Sequence, residues 1–388
     1  MRLRWLILAV LFFARATMAF QFQSVAALSP IIIDRLAFTL ADIGLLIGLY
    51  LGPGVIIATL GGAVATWLGD RRIVLLSLAL MVAGGLLVAY STSLPWAMTG
   101  RLISGAGGVV INVLMTKMVI DWFVRHNIAT AMAIFISSWP LGIALSLLVL
   151  PTLAEFGGLE LAWAGVTVST VAAFVLFGLI YRSPEDASSG SGKVSLASLP
   201  WVPLSYVAGL WAFYNAAFGM VIGFGTLILI ERGFSSTGAS SAISLNILAG
   251  TIAIPLGGWL ADRAGRPDAV ILASLVAGVV LYPTLLYLPV AYVVVVLIIA
   301  GFVVGLGPGP IVSMPSLILP EHARALGTGV FYSIYYSVMT IAPPVAGAIS
   351  DRLGNVNMAF IMASVLMAVA IVAFLRFRCT ATLLVDGK

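Results

Sequence analysis

Long apolar stretches alternate with short polar breaks along the whole chain. Twelve of these stretches reach the roughly 20 residues that a helix needs to cross a bilayer. Many exceed that length, so we expect tilted helices. The pattern predicts an all-α polytopic membrane protein with twelve transmembrane helices, at 5–33, 42–68, 72–91, 94–120, 127–153, 159–181, 201–230, 237–261, 268–288, 290–318, 324–350 and 355–377.

Composition supports this prediction and excludes several classes of function. Of the 388 residues, 62% are hydrophobic and only 9% are charged, whereas a soluble domain is about 25% charged. The one cysteine, Cys379, rules out an intrachain disulfide and a thiolate metal cluster. The sequence contains no HExxH motif and no nucleotide-binding loop, so we expect neither an enzyme nor a bound metal or cofactor. Basic loops that adhere to anionic lipid account for the net charge of +5 without nucleic acid.

The first apolar stretch permits a second interpretation. Arg2 and Arg4 precede an apolar run that ends in small residues, as in a secretory signal peptide. Arg15 lies between that run and the candidate cleavage site, and the apolar pattern continues to Pro30. An uncleaved first transmembrane helix is therefore the favoured interpretation.

The distribution of Lys and Arg predicts the orientation. If the N terminus is cytoplasmic, fourteen of these residues fall in inner segments, and only Arg35, Arg232 and Arg352 fall in outer segments. Short cytoplasmic loops are rich in Lys and Arg. We therefore expect both termini to be cytoplasmic, in a multi-pass protein of the cell membrane, a bacterial inner membrane.

The chain divides into two similar halves. The segment 182–200, rich in Ser, Gly and charge, is typical of a flexible linker. A shift of 196 positions aligns "LGPGVIIATLGGAVATWLG" (51–69) with "ILAGTIAIPLGGWLADRAG" (247–265), and His126 with His322. We predict two pseudo-symmetric six-helix bundles, at 1–181 and 201–388.

Several motifs resemble those of the major facilitator superfamily. "GGWLADRAGR" (257–266) is similar to its motif between helices eight and nine, and "GGAVATWLGDRR" (61–72) is a degenerate copy between helices two and three. "GRLISGAGG" (100–108) resembles its fourth-helix motif, and "GAISDRLG" (347–354) resembles a feature at the outer end of helix eleven. "DWFVRHNIATAMA" and "LPEHARALGTGV" resemble its loops before helices five and eleven. The resemblance covers nearly the whole chain and implies a secondary transporter whose halves rock about a central site.

The resemblance also implies gating residues at the cytoplasmic helix ends. The superfamily usually has Asp where this sequence has Thr66, so the first gate is either weaker or uses Asp70. An alternative role for these charges is to set topology and cap helices, because positive-inside bias places cations there in any case. The residues so assigned are Gly62, Asp70, Arg71, Gly258, Asp262, Arg263, Gly265 and Arg266.

Two arginines lie inside predicted helices without an obvious carboxylate partner. Arg15 lies roughly 15 Å into the first helix, where a charge must face the bundle interior or water. Because guanidinium binds planar oxyanions bidentately, we predict that Arg15 binds an anionic substrate, with Gln23 on the same face. Arg101 shares a helix face with Asn112, and both are predicted to line the site. The alternative for each arginine is a structural role, with hydrogen bonds to backbone carbonyls or polar side chains.

The second half offers aromatic and amide side chains but no buried charge. The residues predicted to line the site are Tyr214, Asn215, Asn246, Tyr332, Tyr335 and Tyr336, with packing as the alternative for each. We expect a monomeric secondary transporter of a small, organic anion, similar to the cyanate-permease-like branch of the superfamily. A proton or a counter-anion could accompany the substrate. A multidrug or metabolite efflux pump of the same fold is the alternative.

Overall fold

The computed structural model describes residues 2–58, 69–123, 128–182, 196–319 and 323–386, and these residues contain helices but no β-strand. The first half contains α1 (Arg2–Ala27), α2 (Ser29–Leu36), α3 (Leu40–Leu51), α4 (Asp70–Ala89), α5 (Leu94–Phe123) and α6 (Ile128–Ile180). The second half contains α7 (Trp201–Glu231), α8 (Ser236–Ala264), α9 (Pro267–Thr284), α10 (Val290–Val304), α11 (Pro308–Ser313), α12 (Pro315–Ile318), α13 (Arg324–Leu353) and α14 (Met358–Asp386).

The described helices confirm the predicted twelve crossings. Ten of them are long and apolar enough to cross a membrane by length and composition. One of these, Ile134–Ile180, has 47 residues and is broken where Gly158 takes a φ of 73°, a left-handed conformation that glycine adopts without a Cβ clash. This break makes two crossings. The twelfth is α13, a less apolar helix of 30 residues because it carries several tyrosines.

Prolines account for two differences from the predicted boundaries. The first stretch, predicted at 5–33, ends as α1 at Ala27, and α2 follows with Pro30 in its first turn. The stretch predicted at 290–318 is divided into α10, α11 and α12, since Pro308 and Pro315 lack the N–H that would continue the helix. Most of the predicted linker, 183–195, lies outside the described residues, so the exact bounds of the two bundles stay predictions.

The two halves meet closely where α3 packs against α13. A Cβ added at Gly48 would lie 2.3 Å from a carbonyl oxygen of α13, and one at Gly347 would lie 2.2 Å from the Leu40 carbonyl oxygen. The Asp351 carboxylate accepts hydrogen bonds from the backbone N–H groups of Leu40 at 3.0 Å and Ala41 at 2.8 Å. We call this end of the bundle the Leu40 end. Contacts between the halves thus run from the Leu40 end toward the middle of the bundle.

Candidate functional site

Arg15 lies on α1 and is held by two neighbouring helices. Its Nε donates to Asn112 Oδ1 on α5 at 3.0 Å. Its Nη1 donates to the Phe135 and Ile136 carbonyls of α6, both at 3.0 Å, and to Ser138 Oγ at 3.3 Å. The guanidinium carbon lies 4.8 Å from the centre of the Phe135 ring, which is a cation–π distance. These contacts fix the guanidinium in one orientation.

One of the acceptors for Arg15 is available because of a proline. In a regular helix the Ile136 carbonyl would accept a hydrogen bond from the backbone N–H four residues later. Pro140 occupies that position inside α6 and has no N–H. The Ile136 carbonyl is therefore free to bind the cation. The structural alternative for Arg15 named backbone carbonyls and polar side chains without identifying them, and Pro140 was the signal that could have identified this carbonyl.

The remaining nitrogen of Arg15, Nη2, has no hydrogen-bond acceptor among the described residues, and the side chain is partly exposed. A bidentate contact uses either Nε with Nη2 or both Nη nitrogens. Each of these pairs includes a nitrogen that already binds the protein. The structure thus differs from the expectation of a bidentate arginine, because it leaves a single nitrogen, with two N–H groups, for a ligand.

Three tyrosines of α13 approach Arg15 from the second half. Asn112 Nδ2 donates to Tyr336 Oη at 3.2 Å, and the Tyr336 ring lies 4.9 Å from the Tyr335 ring and 6.4 Å from the Tyr332 ring between centroids. The hydroxyls of Tyr332 and Tyr335 have no hydrogen-bond partner in the described part of the chain, and both side chains are partly exposed. The structure therefore brings Arg15, Asn112 and the three tyrosines together, and we call this group the Arg15–tyrosine site.

Arg101 is buried outside this site, with 1% of its surface exposed. Its Nε donates to the Leu46 carbonyl of α3 at 2.8 Å. Nη1 and Nη2 donate to the carbonyls of Gln21 and Phe22 on α1 at 3.0 and 2.8 Å. Its guanidinium carbon lies 4.5 Å from the centre of the Tyr50 ring. Since each nitrogen binds a backbone carbonyl, the geometry favours the structural alternative, in which Arg101 ties α5 to α1 and α3.

The other four residues predicted to line the site also donate to backbone carbonyls. The distances are 2.7 Å for Gln23 to Ile222, 2.9 Å for Tyr214 to Val304, 2.8 Å for Asn215 to Trp211 and 2.7 Å for Asn246 to Leu297. The Asn215 bond stays within α7, and the other three join different helices. Their donors thus serve packing, and none of these contacts reaches the Arg15–tyrosine site.

The first group of predicted gating residues lies at the opposite end from Leu40. Asp70 begins α4 and binds Lys117 Nζ at 2.8 Å, and Lys117 also lies 3.9 Å from Asp121. Arg71 donates to the Gly178 carbonyl at 2.6 Å. Asp70 therefore makes an ion pair at this end, and its use as a gate in place of the missing motif residue stays a prediction. Gly62 lies outside the described residues.

The second group lies around the end of α8. Arg263 lies with its guanidinium carbon 5.2 Å from the centre of the Trp259 ring. Gly265 has a φ of 60° just after α8, and Arg266 immediately precedes α9. Asp262 lies in the last turn of α8, and a Cβ added at Gly258 would meet nothing within 4 Å. Gly265 and Arg266 thus form the turn between α8 and α9.

A model of the Major Facilitator Superfamily matches residues 11–231 and 213–383. The chain belongs to this superfamily. It is therefore a membrane transporter with a small-molecule substrate rather than an enzyme, as the motifs predicted. The match does not distinguish branches, so similarity to the cyanate-permease-like group stays a prediction.

Relatives and solved structures of this superfamily span most of the chain. The chain is 23% identical to the lysosomal dipeptide transporter MFSD1 of Danio rerio, covering 92% of this chain and 83% of the relative. It is 26% identical to the 2-nitroimidazole transporter of Escherichia coli (96% and 93%), and 24% identical to the gentisate transporter of Corynebacterium glutamicum (82% and 76%). The nucleoside transporter NupG has a TM-score of 0.76 at 15% identity, covering 96% of this chain and 99% of that one. An inward-facing, unoccupied bacterial homolog of human Spinster has a TM-score of 0.77 at 16% identity, covering 99% and 98%. At these identities the structures show the shared fold.

Proposed function

We propose that this superfamily member moves a small organic anion across the membrane by alternating access, and that Arg15 binds the anion. The observation that carries the proposal is the Nη2 edge of Arg15, which has no acceptor in the described residues while its other nitrogens are held. No carboxylate among the described residues pairs with Arg15. An unpaired cation inside a membrane protein is costly, and a bound anion would offset that cost.

The rings of Trp211, Tyr332 and Tyr335, which we call the aromatic wall, support a substrate with a flat ring. The Trp211 ring of α7 lies 6.3 Å from the Tyr335 ring between centroids, and the Tyr332 ring lies 6.2 Å from the Tyr335 ring. Since Arg15 offers one nitrogen, most recognition must come from ring contacts and tyrosine hydroxyls. Two relatives are named for 2-nitroimidazole and gentisate. They also support a flat-ring substrate, because each compound is a flat ring with a nitro or carboxylate group. An aromatic monocarboxylate combines these features, and benzoate is its simplest probe.

A multidrug or metabolite efflux pump of the same fold is the second candidate. The same aromatic wall favours it, because uncharged ring compounds also stack on tyrosine and tryptophan. Arg15 distinguishes the two candidates. A neutral substrate gains little from the guanidinium charge, whereas an anion depends on it.

Alternating access requires the two ends of the bundle to open in turn. In this proposal the Leu40 end, where Asp351 joins the halves, is one gate, and the end that carries Asp70 and Lys117 is the other. The excess of Lys and Arg supports a cytoplasmic location for the Asp70 end and for both termini, in a bacterial inner membrane and with the chain acting as a monomer. A counter-anion, or a proton carried by the substrate itself, would complete the cycle.

Thermal stabilisation of the purified protein tests the proposal. A ligand that binds only the folded state raises its stability, by about 2.7 kcal/mol at 100 times Kd. The probes are benzoate, gentisate, nitrate, 2-nitroimidazole, neutral benzamide and cationic benzylamine. We expect benzoate and gentisate to raise the melting temperature of the wild type and to lose this effect in Arg15→Gln. Arg35→Gln is the matched control, because it removes an exposed arginine paired only with Glu160 among the described residues.

The outcomes separate the two candidates. Stabilisation by benzamide or benzylamine that persists in Arg15→Gln would overturn the anion proposal and favour the efflux pump. Arg15→Lys keeps the charge but loses the planar fork, and we expect it to retain a reduced benzoate response. If neither Arg15 variant folds, Tyr335→Phe should still weaken the benzoate response, because it removes a hydroxyl that has no described protein partner.

A further inference from the structure

Asn112 connects Arg15 of the first half to Tyr336 of the second. Its Oδ1 accepts from Arg15 Nε at 3.0 Å, and its Nδ2 donates to Tyr336 Oη at 3.2 Å. Guanidinium nitrogens only donate, so the amide oxygen must face Arg15 and the amide nitrogen must face Tyr336. The direction of the whole chain of bonds is therefore fixed by chemistry, from Arg15 through Asn112 to Tyr336.

Tyr336 marks the boundary between the halves. Its ring is 2% exposed and packs so closely on Gly54 that a Cβ added there would lie 2.4 Å from the ring. Arg15, by contrast, is anchored within the first half by the α6 carbonyls of Phe135 and Ile136. When the halves separate at this level, the Asn112–Tyr336 bond must break, while the Arg15–Asn112 bond can survive.

The charge of Arg15 strengthens the bond that crosses the halves. Donation from a guanidinium into Oδ1 polarises the amide and makes Nδ2 a stronger donor, since hydrogen bonds in a chain reinforce one another in a medium of low dielectric constant. An anion at Nη2 neutralises that charge and weakens the polarisation. Anion binding and the Asn112–Tyr336 bond therefore oppose each other.

We propose that Asn112 is a positioning residue that transmits the occupancy of Arg15 to the interface between the halves, so that a bound anion loosens the contact with Tyr336. This inference rests on the proposed function. Coupling between two equilibria is reciprocal. Removing the bond to Tyr336 must therefore tighten anion binding, by up to roughly tenfold, a limit reached if the bound anion cancels a bond of ordinary net strength completely.

The test compares Tyr336→Phe with Tyr335→Phe, which loses a neighbouring hydroxyl that has no described partner. Benzoate affinity is measured by calorimetry. The separation of the halves is measured with spin labels at Thr92→Cys and Tyr287→Cys in a Cys379→Ser background. Thr92 and Tyr287 are exposed and follow α4 and α9 at the Leu40 end.

We expect Tyr336→Phe to bind benzoate more tightly and, without ligand, to shift the label distances toward those of the benzoate-bound wild type. Tyr335→Phe should instead bind benzoate more weakly and leave the label distances without ligand unchanged. Unchanged or weaker binding in Tyr336→Phe, or equal shifts in both variants, overturns the inference while the wild-type benzoate response still supports the proposed function. A wild type that binds no anion of the panel overturns the proposed function, and this inference with it.

Discussion

Replacement of Arg101 by glutamine should destabilise the fold and leave anion binding at Arg15 intact. Arg101 donates to the carbonyls of Gln21, Phe22 and Leu46. Glutamine is shorter, carries no charge and has one NH₂ group with two N–H donors, so it can keep at most two of these contacts. Hydrogen bonds to charged groups contribute about 1.5–3 kcal/mol each, and the loss of at least one predicts a decrease in stability of about 1.5 kcal/mol or more.

The assay for Arg101→Gln is the melting temperature of the purified protein with and without benzoate. We expect a fall of several degrees and the same increase on adding benzoate as in the wild type. Arg35→Gln is the control and should melt like the wild type, because an exposed and screened ion pair contributes little. If Arg101→Gln melts like the wild type, the buried hydrogen bonds do not stabilise the helix packing. If it also loses the benzoate response, Arg101 binds substrate instead.

Three further substitutions test other parts of the structure. Gly347→Val should lengthen spin-label distances across the Leu40 end, because its Cβ would lie 2.2 Å from the Leu40 carbonyl oxygen; unchanged distances would contradict this close packing. Asn246→Leu should leave the melting temperature nearly unchanged, since it loses one hydrogen bond to a carbonyl but also removes a buried Oδ1 without a partner. A large fall in the melting temperature would show that these two effects do not cancel. Lys117→Met should lower stability by about 1 kcal/mol or less by breaking the 2.8 Å pair with Asp70. High salt should reduce the difference in stability between Lys117→Met and the wild type. A difference in stability that does not depend on salt would indicate lost packing instead.

The sequence predicted the helices well because their signal is local. An apolar stretch of bilayer length is visible in any short window, and the twelve crossings follow from it. Boundaries were less accurate where proline interrupts a stretch that stays apolar, as at Pro30 and Pro308. Hydropathy does not change at such a break, although the backbone does.

The site was predictable in part. Because a charged side chain is costly in lipid, we expected Arg15 to face the bundle interior, where it contacts α5 and α6. The spacing of Tyr332, Tyr335 and Tyr336 predicted that these side chains share one helix face. The roles of Arg15 and Arg101 could not be separated from sequence, because both are single cations within apolar helices. Their hydrogen-bond partners come from distant segments, and only the packed structure shows which donors are already used.

The sequence by itself therefore determined the membrane class, the helix count, the superfamily resemblance and the presence of two intramembrane cations, since each depends on local composition or spacing. Tertiary structure alone decided that Arg101 binds carbonyls on two other helices and that Arg15 keeps one nitrogen free beside a tyrosine of the opposite half. The physical reason is that a guanidinium presents donors on three nitrogens. Which of them is available depends on where other helices place their acceptors.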